Sequence, residues 1–314
     1  MAKKIPSYEY TGEHEAAADE RYWYIYLKSS GSLTFGHEKK MLEACIVGGG
    51  AGGESDNGGT DGERGGNGGQ VKNITQHVLA DTPYPIVVGS GGAAGIKGAF
   101  PGKGTASSAF GTSASGGEGA SGGAGAGGTG GKGEAGGAGT YAFGDSSMLR
   151  YGGGGGGGAG AQTGENERGT GGAGGGGRGA GGAGAYTEGG AAQNGAEHTG
   201  GGGGGEGGFY YDDEFGDQRY DAAGGAAGEG GSGVVILRGT EEDLIPVFFN
   251  GTQLSVVILN GKKAAGMVYD GVRLYARRLA ERTGILNGGG RRERHALYGQ
   301  GGNQKRCTEC AQRA

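Results

Sequence analysis

The hydrophobic pattern changes period along the chain. In Arg21–Phe35 (RYWYIYLKSSGSLTF), Trp23, Ile25 and Leu27 alternate with Tyr22, Tyr24 and Tyr26. Period-two alternation in residues of this kind predicts a strand. Ser29-Ser30-Gly31-Ser32 predicts a turn, and Leu33-Thr34-Phe35 the start of a returning strand. Met41–Val47 predicts a third strand that runs directly into Gly48. Residues 1–47 are therefore expected to form a small antiparallel sheet. Its aromatic ladder serves core and cross-strand packing, with a sugar- or peptide-binding face as the alternative.

Beyond Gly48 the apolar runs become isolated. Gln70–Leu79, Tyr84–Gly89 and Val234–Arg238 predict strands. Further on, Phe248-Phe249-Asn250-Gly251, Ile258-Leu259-Asn260-Gly261 and Val268-Tyr269-Asp270-Gly271 recur at a spacing of ten. Asn-Gly or Asp-Gly between apolar runs signals a hairpin. The repeat predicts a meander of Pro246–Phe249, Leu254–Leu259, Ala265–Tyr269 and Val272–Arg277. A sheet this small gains stability by packing on another part of the chain or by trimerising. From Asn287 the chain is polar and is expected to be disordered.

Composition explains the isolation. Of 88 glycines, 73 lie in the 186 residues from Gly48 to Gly233. Embedded strands argue against a flexible linker. The glycine runs are separated by polar or aromatic inserts at Glu54–Arg64, Ile96–Thr112, Tyr141–Tyr151, Gln162–Arg168, Tyr186–Thr199 and Phe209–Tyr220. This layout predicts many rods joined by loops at their ends. Five prolines and no strict G-X-Y period exclude collagen. Glycine disfavours an α-helix by about 1 kcal/mol per residue, and a glycine strand has no side chains to pack. The polyproline-II conformation remains, with three residues per turn and every hydrogen bond made to a neighbouring rod. Isolated alanines are expected on rod faces that point outward. The expected fold class is mainly β and irregular: an N-terminal antiparallel sheet (1–47), a polyglycine-II rod bundle with embedded strands (48–238), a β-hairpin repeat (239–284) and a disordered basic tail (285–314).

Charge and candidate chemistry narrow the function. A net charge of −5 gives no general attraction for nucleic acid. Gly271–Ala314 holds ten Lys and Arg against three Asp and Glu, a basic stretch most simply solvated. Met1–Thr11 has no apolar run and no stretch approaches the roughly 20 apolar residues of a membrane span. The expectation is synthesis in a cytoplasm without a signal peptide and without membrane insertion. Cys45 reads as a small core residue. Cys307 and Cys310 form one C-x-x-C, and neither His295 nor Cys45 completes a four-ligand zinc site with suitable spacing. His77 and His198 stand alone, and Asp212-Asp213-Glu214 are adjacent loop carboxylates rather than an acid–base pair. Gly102-Lys103-Gly104-Thr105 resembles the end of a phosphate loop, but Lys97 stands where the required glycine belongs. The expectation is a non-enzymatic protein with no metal and no cofactor.

The insert Phe209–Tyr220 packs five aromatics and four carboxylates into twelve residues. Exposed aromatics beside charges are the material of binding hot spots. The candidate binding residues are Phe209, Tyr210, Tyr211, Asp212, Asp213, Glu214, Phe215 and Tyr220, with the insert aromatics Tyr141, Phe143 and Phe100. The alternative is that these rings cap the ends of the rods.

The run Leu42-Glu43-Ala44-Cys45-Ile46-Val47-Gly48-Gly49-Gly50 enters the glycine block from a strand. Tyr84-Pro85-Ile86-Val87-Val88-Gly89-Ser90-Gly91-Gly92, Ser107-Ser108-Ala109-Phe110-Gly111 and Gly231-Ser232-Gly233-Val234-Val235-Ile236-Leu237-Arg238 follow in order. Together with the Asn-Gly/Asp-Gly decads, this succession resembles the glycine-rich phage and prophage tail fibre or tail-tip adhesin family over roughly residues 8–278. The resemblance implies a virion tail protein whose loops at the rod ends touch a host-cell receptor. It further implies other tail or baseplate proteins as partners and a homo-oligomer, a trimer favoured. An extracellular or cell-wall glycine-rich structural protein of a cellular organism is the competing expectation. Residues 279–314, with their C-x-x-C, depart from the pattern.

Overall fold

The computed structural model describes residues 3–55, 60–96, 99–119, 133–161, 167–183, 189–212, 219–222, 225–240, 245–249, 252–259, 264–269, 272–277 and 297–299. The chain divides into two compact units, Met1–Gly239 and Thr240–Ala314. Strands in antiparallel sheets dominate its regular structure. Among the described residues helix is limited to 3₁₀ geometry, at Ala142–Gly144 and at Glu167.

The strands of the first unit are β1 (Tyr8–Tyr10), β2 (His14–Ala18), β3 (Trp23–Leu27), β4 (Gly31–Phe35), β5 (Lys39–Val47), β6 (Val71–Val78) and β7 (Tyr84–Ile86). Short hairpin strands follow: β8 (Ser107–Ala109), β9 (Thr112–Ala114), β10 (Thr140–Tyr141), β11 (Arg150–Tyr151), β12 (Tyr210–Asp212) and β13 (Arg219–Ala222). The last is β14 (Val234–Gly239). Five of them form a sheet in the order β2-β3-β14-β5-β6, and three form a second sheet in the order β1-β4-β7. The strand that closes the glycine block thus lies between two strands of the N-terminal segment.

The expected hairpin of Trp23–Leu27 with Leu33–Phe35 does not form. Instead β3 pairs with β2 and β14, while β4 crosses to the other sheet. Both parities of β3 are large and apolar or aromatic, which suits a strand covered on two faces. One parity, Trp23, Ile25 and Leu27, meets Leu33, Phe35 and Ile86 of the second sheet and Ala109 and Ala114 of the β8–β9 hairpin. The other parity carries the tyrosines, with Cys45, Val47, Val234 and Ile236 beside them under Ala142 and Tyr151. Strand β2 (HEAAA) has little β character of its own and is held by its register against β3. Phe110 and Gly111 both take positive φ between β8 and β9, the requirement of a two-residue type I′ turn.

Three adjacent strands continue as glycine rods. Strand β5 runs on as residues 48–54, residues 62–70 lead into β6, and residues 225–233 lead into β14. At this junction the hydrogen-bonding period changes from two to three. The N–H groups of Gly48, Ala51 and Glu54 donate to the carbonyls of Gln70, Asn67 and Arg64. Those of Gly49 and Gly52 donate to Thr105 and Gly102, and those of Gly50 and Gly53 to Gly231 and Gly228. Rod 48–54 therefore donates to three neighbours in rotation. It accepts from three more, through the N–H groups of Gly117, of Gly92 and Gly95, and of Gly203 and Glu206. Rod 200–208 is likewise bonded to six stretches, 51–54, 63–69, 153–159, 177–183, residue 193, and 225–232. A three-residue screw with six bonded neighbours is the polyglycine-II lattice that the composition predicts.

Close approach, not unusual φ, makes glycine obligatory inside the rods. A Cβ on Gly53 would lie 1.9 Å from the carbonyl oxygen of Gly204, and one on Gly203 would lie 2.1 Å from that of Gly228. The Cα hydrogen points at that oxygen instead, a contact that adds to the N–H···O bonds. The alanines divide: Ala93, Ala135, Ala138, Ala173, Ala191 and Ala226 are exposed, as expected. Ala51, Ala159, Ala180 and Ala183 are fully buried rather than turned outward, so some channels between rods admit one methyl group. Asn67, also buried, sends its Nδ2 to the carbonyls of Glu118 and Gly119. Ser107 Oγ joins lattice to sheet: it donates to the Val47 carbonyl at 2.6 Å and accepts the Gly89 N–H at 2.9 Å.

In the second unit, β15 (Ile245–Phe249), β16 (Thr252–Leu259), β17 (Ala264–Tyr269), β18 (Val272–Arg277) and β19 (Leu297–Gly299) form an antiparallel meander in chain order. The four strands read from the decads match within two residues. The fifth lies in the stretch expected to be disordered, where Tyr298 pairs with Tyr275 on the otherwise open edge of β18.

Gly203→Ala is expected to cost about 3 kcal/mol or more, because backbone on every side of the rod resists displacement. Gly119→Ala, whose Cβ would meet only Glu54 Oε1 at 3.9 Å, is expected to be nearly neutral. Thermal unfolding of the two variants checks this; equal midpoints would contradict the packing account.

Candidate functional site

The register of the rods sorts the connections onto two ends of the lattice. Residues 48–54 run away from the sheet. Gly92 and Gly95 bond to Gly50 and Gly53 in ascending order, so 89–95 runs the same way, while 62–70, 102–105 and 228–231 descend and run back. Rods 152–161, 176–183 and 200–208 likewise run away from the sheet, and 134–139, 169–172 and 189–195 run back. The chain turns at the far end between 54 and 62, 95 and 102, 119 and 134, 161 and 169, 183 and 189, and 208 and 225. It turns at the sheet end through β6 and β7, the β8–β9 hairpin, residues 140–151, and the tight turns at 173–175 and 196–199.

This sorting separates the candidate residues. Phe209, half-buried, ends rod 200–208 at the far end. Beyond it Tyr210, Tyr211 and Asp212 pair with Ala222, Tyr220 and Arg219 in the β12–β13 hairpin, with a bulge between Tyr210 and Tyr211. Asp213, Glu214 and Phe215 lie outside the described residues. Phe100 belongs to another far-end connection and is 98% exposed, next to the Ile96–Ala99 bridge. Tyr141 and Phe143 lie at the opposite end, in the connection that covers the tyrosine face of the sheet.

There they are held by two arginines. Arg150 stacks over the Tyr141 ring at 4.1 Å. Arg238, from the end of β14, stacks over Phe143 at 4.2 Å and over Tyr22 at 4.5 Å. Its guanidinium also grips Glu43 with two bonds, Nε to Oε2 at 2.8 Å and Nη2 to Oε1 at 3.2 Å, and reaches Asp145 Oδ2 at 3.4 Å. The planar fork suits this combination of bidentate and stacked contacts, which a lysine would not reproduce. Phe143 takes positive φ, and its N–H donates to Asn73 Oδ1 on β6. This is a closed structural clamp, and every charge in it has a partner. The sequence reading missed Arg238, Glu43 and Asp145. The available signal was a cation ending an apolar strand, VVILR, which must be paired if buried.

The electrostatics agree with a structural role. Burial pushes the Cys45 thiol up to about 12, so it stays a protonated thiol within the sheet. Burial likewise raises Tyr24, whose hydroxyl donates to Asp19, to about 12. The hydroxyl and N–H of Ser147, and then Arg238, hold the Asp145 carboxyl below its ordinary value. Among the described residues no three His, Cys, Asp or Glu side chains converge as a metal site would require.

Arg238→Met is expected to destabilise by about 3 kcal/mol, because it strands Glu43 and removes both ring contacts. Asp145 adds a pH dependence of definite sign. Its folded pKa lies below the unfolded one, so its contribution is complete above the ordinary carboxylate value of about 3.9 and disappears as pH falls further. Amide protection of residues 141–151, taken relative to the intrinsic exchange rate at each pH, should fall below pH 4 in the wild type and be reduced already at neutral pH in Asp145→Ala. An Asp145→Ala exchange profile identical to wild type would contradict the clamp.

No curated protein matched the chain. A family description, the glycine-rich domain, matches residues 28–240. That span runs from the end of β3 through every rod to the end of β14, so it covers the lattice together with the strands that enter and leave it. The chain belongs to the glycine-rich domain family.

Proposed function

We propose that the protein is a non-enzymatic component of a phage tail, a tail fibre or tail-tip adhesin, and that it presents host-contacting segments on a rigid glycine lattice. The observation that carries this reading is the division of labour between the lattice ends. The sheet end is closed by a sandwich, a hairpin and an arginine clamp. The far end collects connections of varied sequence, including the aromatic and acidic 209–220 segment and the fully exposed Phe100. Binding residues on loops held by a rigid scaffold follow a general division between variable surface and fixed frame. A frame already ordered by its backbone bonds has little conformational entropy left to lose on binding, which favours affinity from few contacts.

On this reading the partners are other tail or baseplate proteins and a receptor on a bacterial surface, and the protein resides in the virion. The described aromatic pair at the sheet end, Tyr141 and Phe143, belongs to the frame. Recognition falls to Phe100, Phe209 and the β12–β13 hairpin with the segment it encloses.

The test is binding of labelled protein to whole bacterial cells of candidate hosts. Replacement of residues 209–220 by Gly and Ser, alone and with Phe100→Ala, is expected to reduce binding at least tenfold and leave the thermal unfolding of the lattice unchanged. Replacement of Tyr141 by Ala should leave binding intact. Binding unaffected by the far-end replacements would remove them from recognition.

A further inference from the structure

Among the described residues no glycine of the rods is exposed. The exposed glycines, Gly111 and Gly144, both stand in turns and take positive φ. On the outer rods other residues hold the exposed positions, and they recur at every third place. Rod 89–95 exposes Ser90 and Ala93, rod 134–139 exposes Ala135 and Ala138, and rod 225–233 exposes Ala226 and Glu229. Glu134, where the second of these rods begins, is exposed as well. Three residues make one turn of a rod, so each pair lies on a single side of it. The sides that meet a neighbour hold glycine. A Cβ on Gly92 would lie 2.0 Å from the carbonyl oxygen of Gly102, one on Gly136 2.0 Å from that of Gly154, and one on Gly228 2.3 Å from that of Gln193.

An outer rod nevertheless keeps bonding groups on its free side. In rod 134–139 the N–H groups of Gly136 and Gly139 donate to Thr170 and Ala173, and the carbonyls of Glu134 and Gly137 accept from Gly157 and Gly154. The N–H and C=O groups of Ala135 and Ala138 have no partner among the described residues. Such a row of open groups is comparable to the edge of a sheet, which pairs with other chains unless it is blocked. The lattice itself shows what would pair here. Rod 134–139 already bonds one parallel stretch, 170–173, and one antiparallel stretch, 154–157, so a glycine rod of either sense has the right groups.

We infer that the side chains at every third outward position are stops at the lattice edge, and that they exclude a glycine rod of a second copy which the bare backbone would accept. The interior distances give the mechanism. Bonded rods bring a carbonyl oxygen to about 2 Å from the place of a Cβ, so a methyl group on the free side holds a further rod out of hydrogen-bonding reach. The buried alanines mark the limit of the rule. Ala180 sits in a channel that its neighbours leave for it, yet one turn earlier a Cβ on Gly177 would lie 2.0 Å from the carbonyl oxygen of Gln193. An incoming rod would have to provide such a channel opposite both members of a pair. The stops thus keep the lattice to the width of one copy and prevent copies from joining side to side. The inference does not depend on what the far-end connections bind.

Sedimentation velocity on the full chain tests it. Ala135→Gly together with Ala138→Gly removes both stops from rod 134–139. The weight-average mass of this variant is expected to rise with concentration to at least double that of the wild type under the same conditions. Ala135→Ser together with Ala138→Ser keeps both Cβ atoms and is expected to sediment as the wild type. Hydrogen exchange adds a readout that non-specific aggregation would not move. In the associated glycine variant the amides of residues 135 and 138 become bonded, so their protection should rise at least tenfold with concentration. Ser90→Gly together with Ala93→Gly makes the same change on rod 89–95 and decides the question if thermal unfolding shows the first variant to be unfolded. Folded glycine variants that sediment as the wild type, a serine variant that assembles, or assembly that leaves residues 135 and 138 unprotected would each overturn the inference.

Discussion

The first unit depends on one interaction, the N–H···O bond between neighbouring glycine rods. Elsewhere in globular proteins, hydrogen bonds settle within an element and side chains hold elements together. Here most rods present no side chain to bury, so the backbone bonds are both the local and the tertiary structure. Ordering glycine costs more conformational entropy than ordering any other residue. The cost is offset only where nearly every N–H and C=O finds a partner, and rods 48–54 and 200–208 meet that condition on all sides. A missing Cβ lets six neighbours approach closely enough for it.

A lattice of this kind needs a nucleus that sets its register, because a glycine rod shifted by three residues would bond almost equally well. The five-stranded sheet supplies it. Strands β14, β5 and β6 enter the lattice side by side with pairing already fixed by apolar parity. A one-residue slip would turn Cys45 and Val47 toward the face that holds Ala44 and Ile46. The rods inherit that register: Val47 pairs with Val71 and Val234, and Gly48 then bonds Gln70. Ser107 stitches the same point, where period two gives way to period three. The side-chain core is small, yet it selects one arrangement among many that the glycine sequence alone would permit.

Much of this was legible in the sequence, for reasons that differ by region. The decads placed the C-terminal strands because Asn-Gly and Asp-Gly fix turn geometry locally. The polyglycine-II conformation followed by elimination, since composition alone removes helix, collagen and pleated strand. Strand pairing was not legible. Trp23–Leu27 advertises a strand but not its partners, and β14, whose Val235 pairs with Leu27, comes from the far side of the glycine block. The buried alanines were hidden for a related reason: whether a channel admits a methyl depends on which rods border it. The candidate residues show the same limit. An insert between glycine runs announces a rod end, but not which end. Counting reversals through the hydrogen-bond register puts Tyr141 and Phe143 beside Arg238, and Phe100 and Phe209 at the other end.

That parity of reversals also constrains how such a protein changes. Each insert is bounded by rods whose positions are fixed by backbone bonds to several neighbours, so its length and composition bear little on the lattice. Loop closure adds only about 0.6 kcal/mol per doubling of length. A change inside a rod meets backbone at about 2 Å, as at Gly53 and Gly203. Variation is therefore channelled to the rod ends. At the sheet end it is restrained further, because Phe143 and Asp145 are tied to Arg238, Glu43 and Asn73. The far end is left as the surface on which sequence can vary while the frame that presents it stays the same.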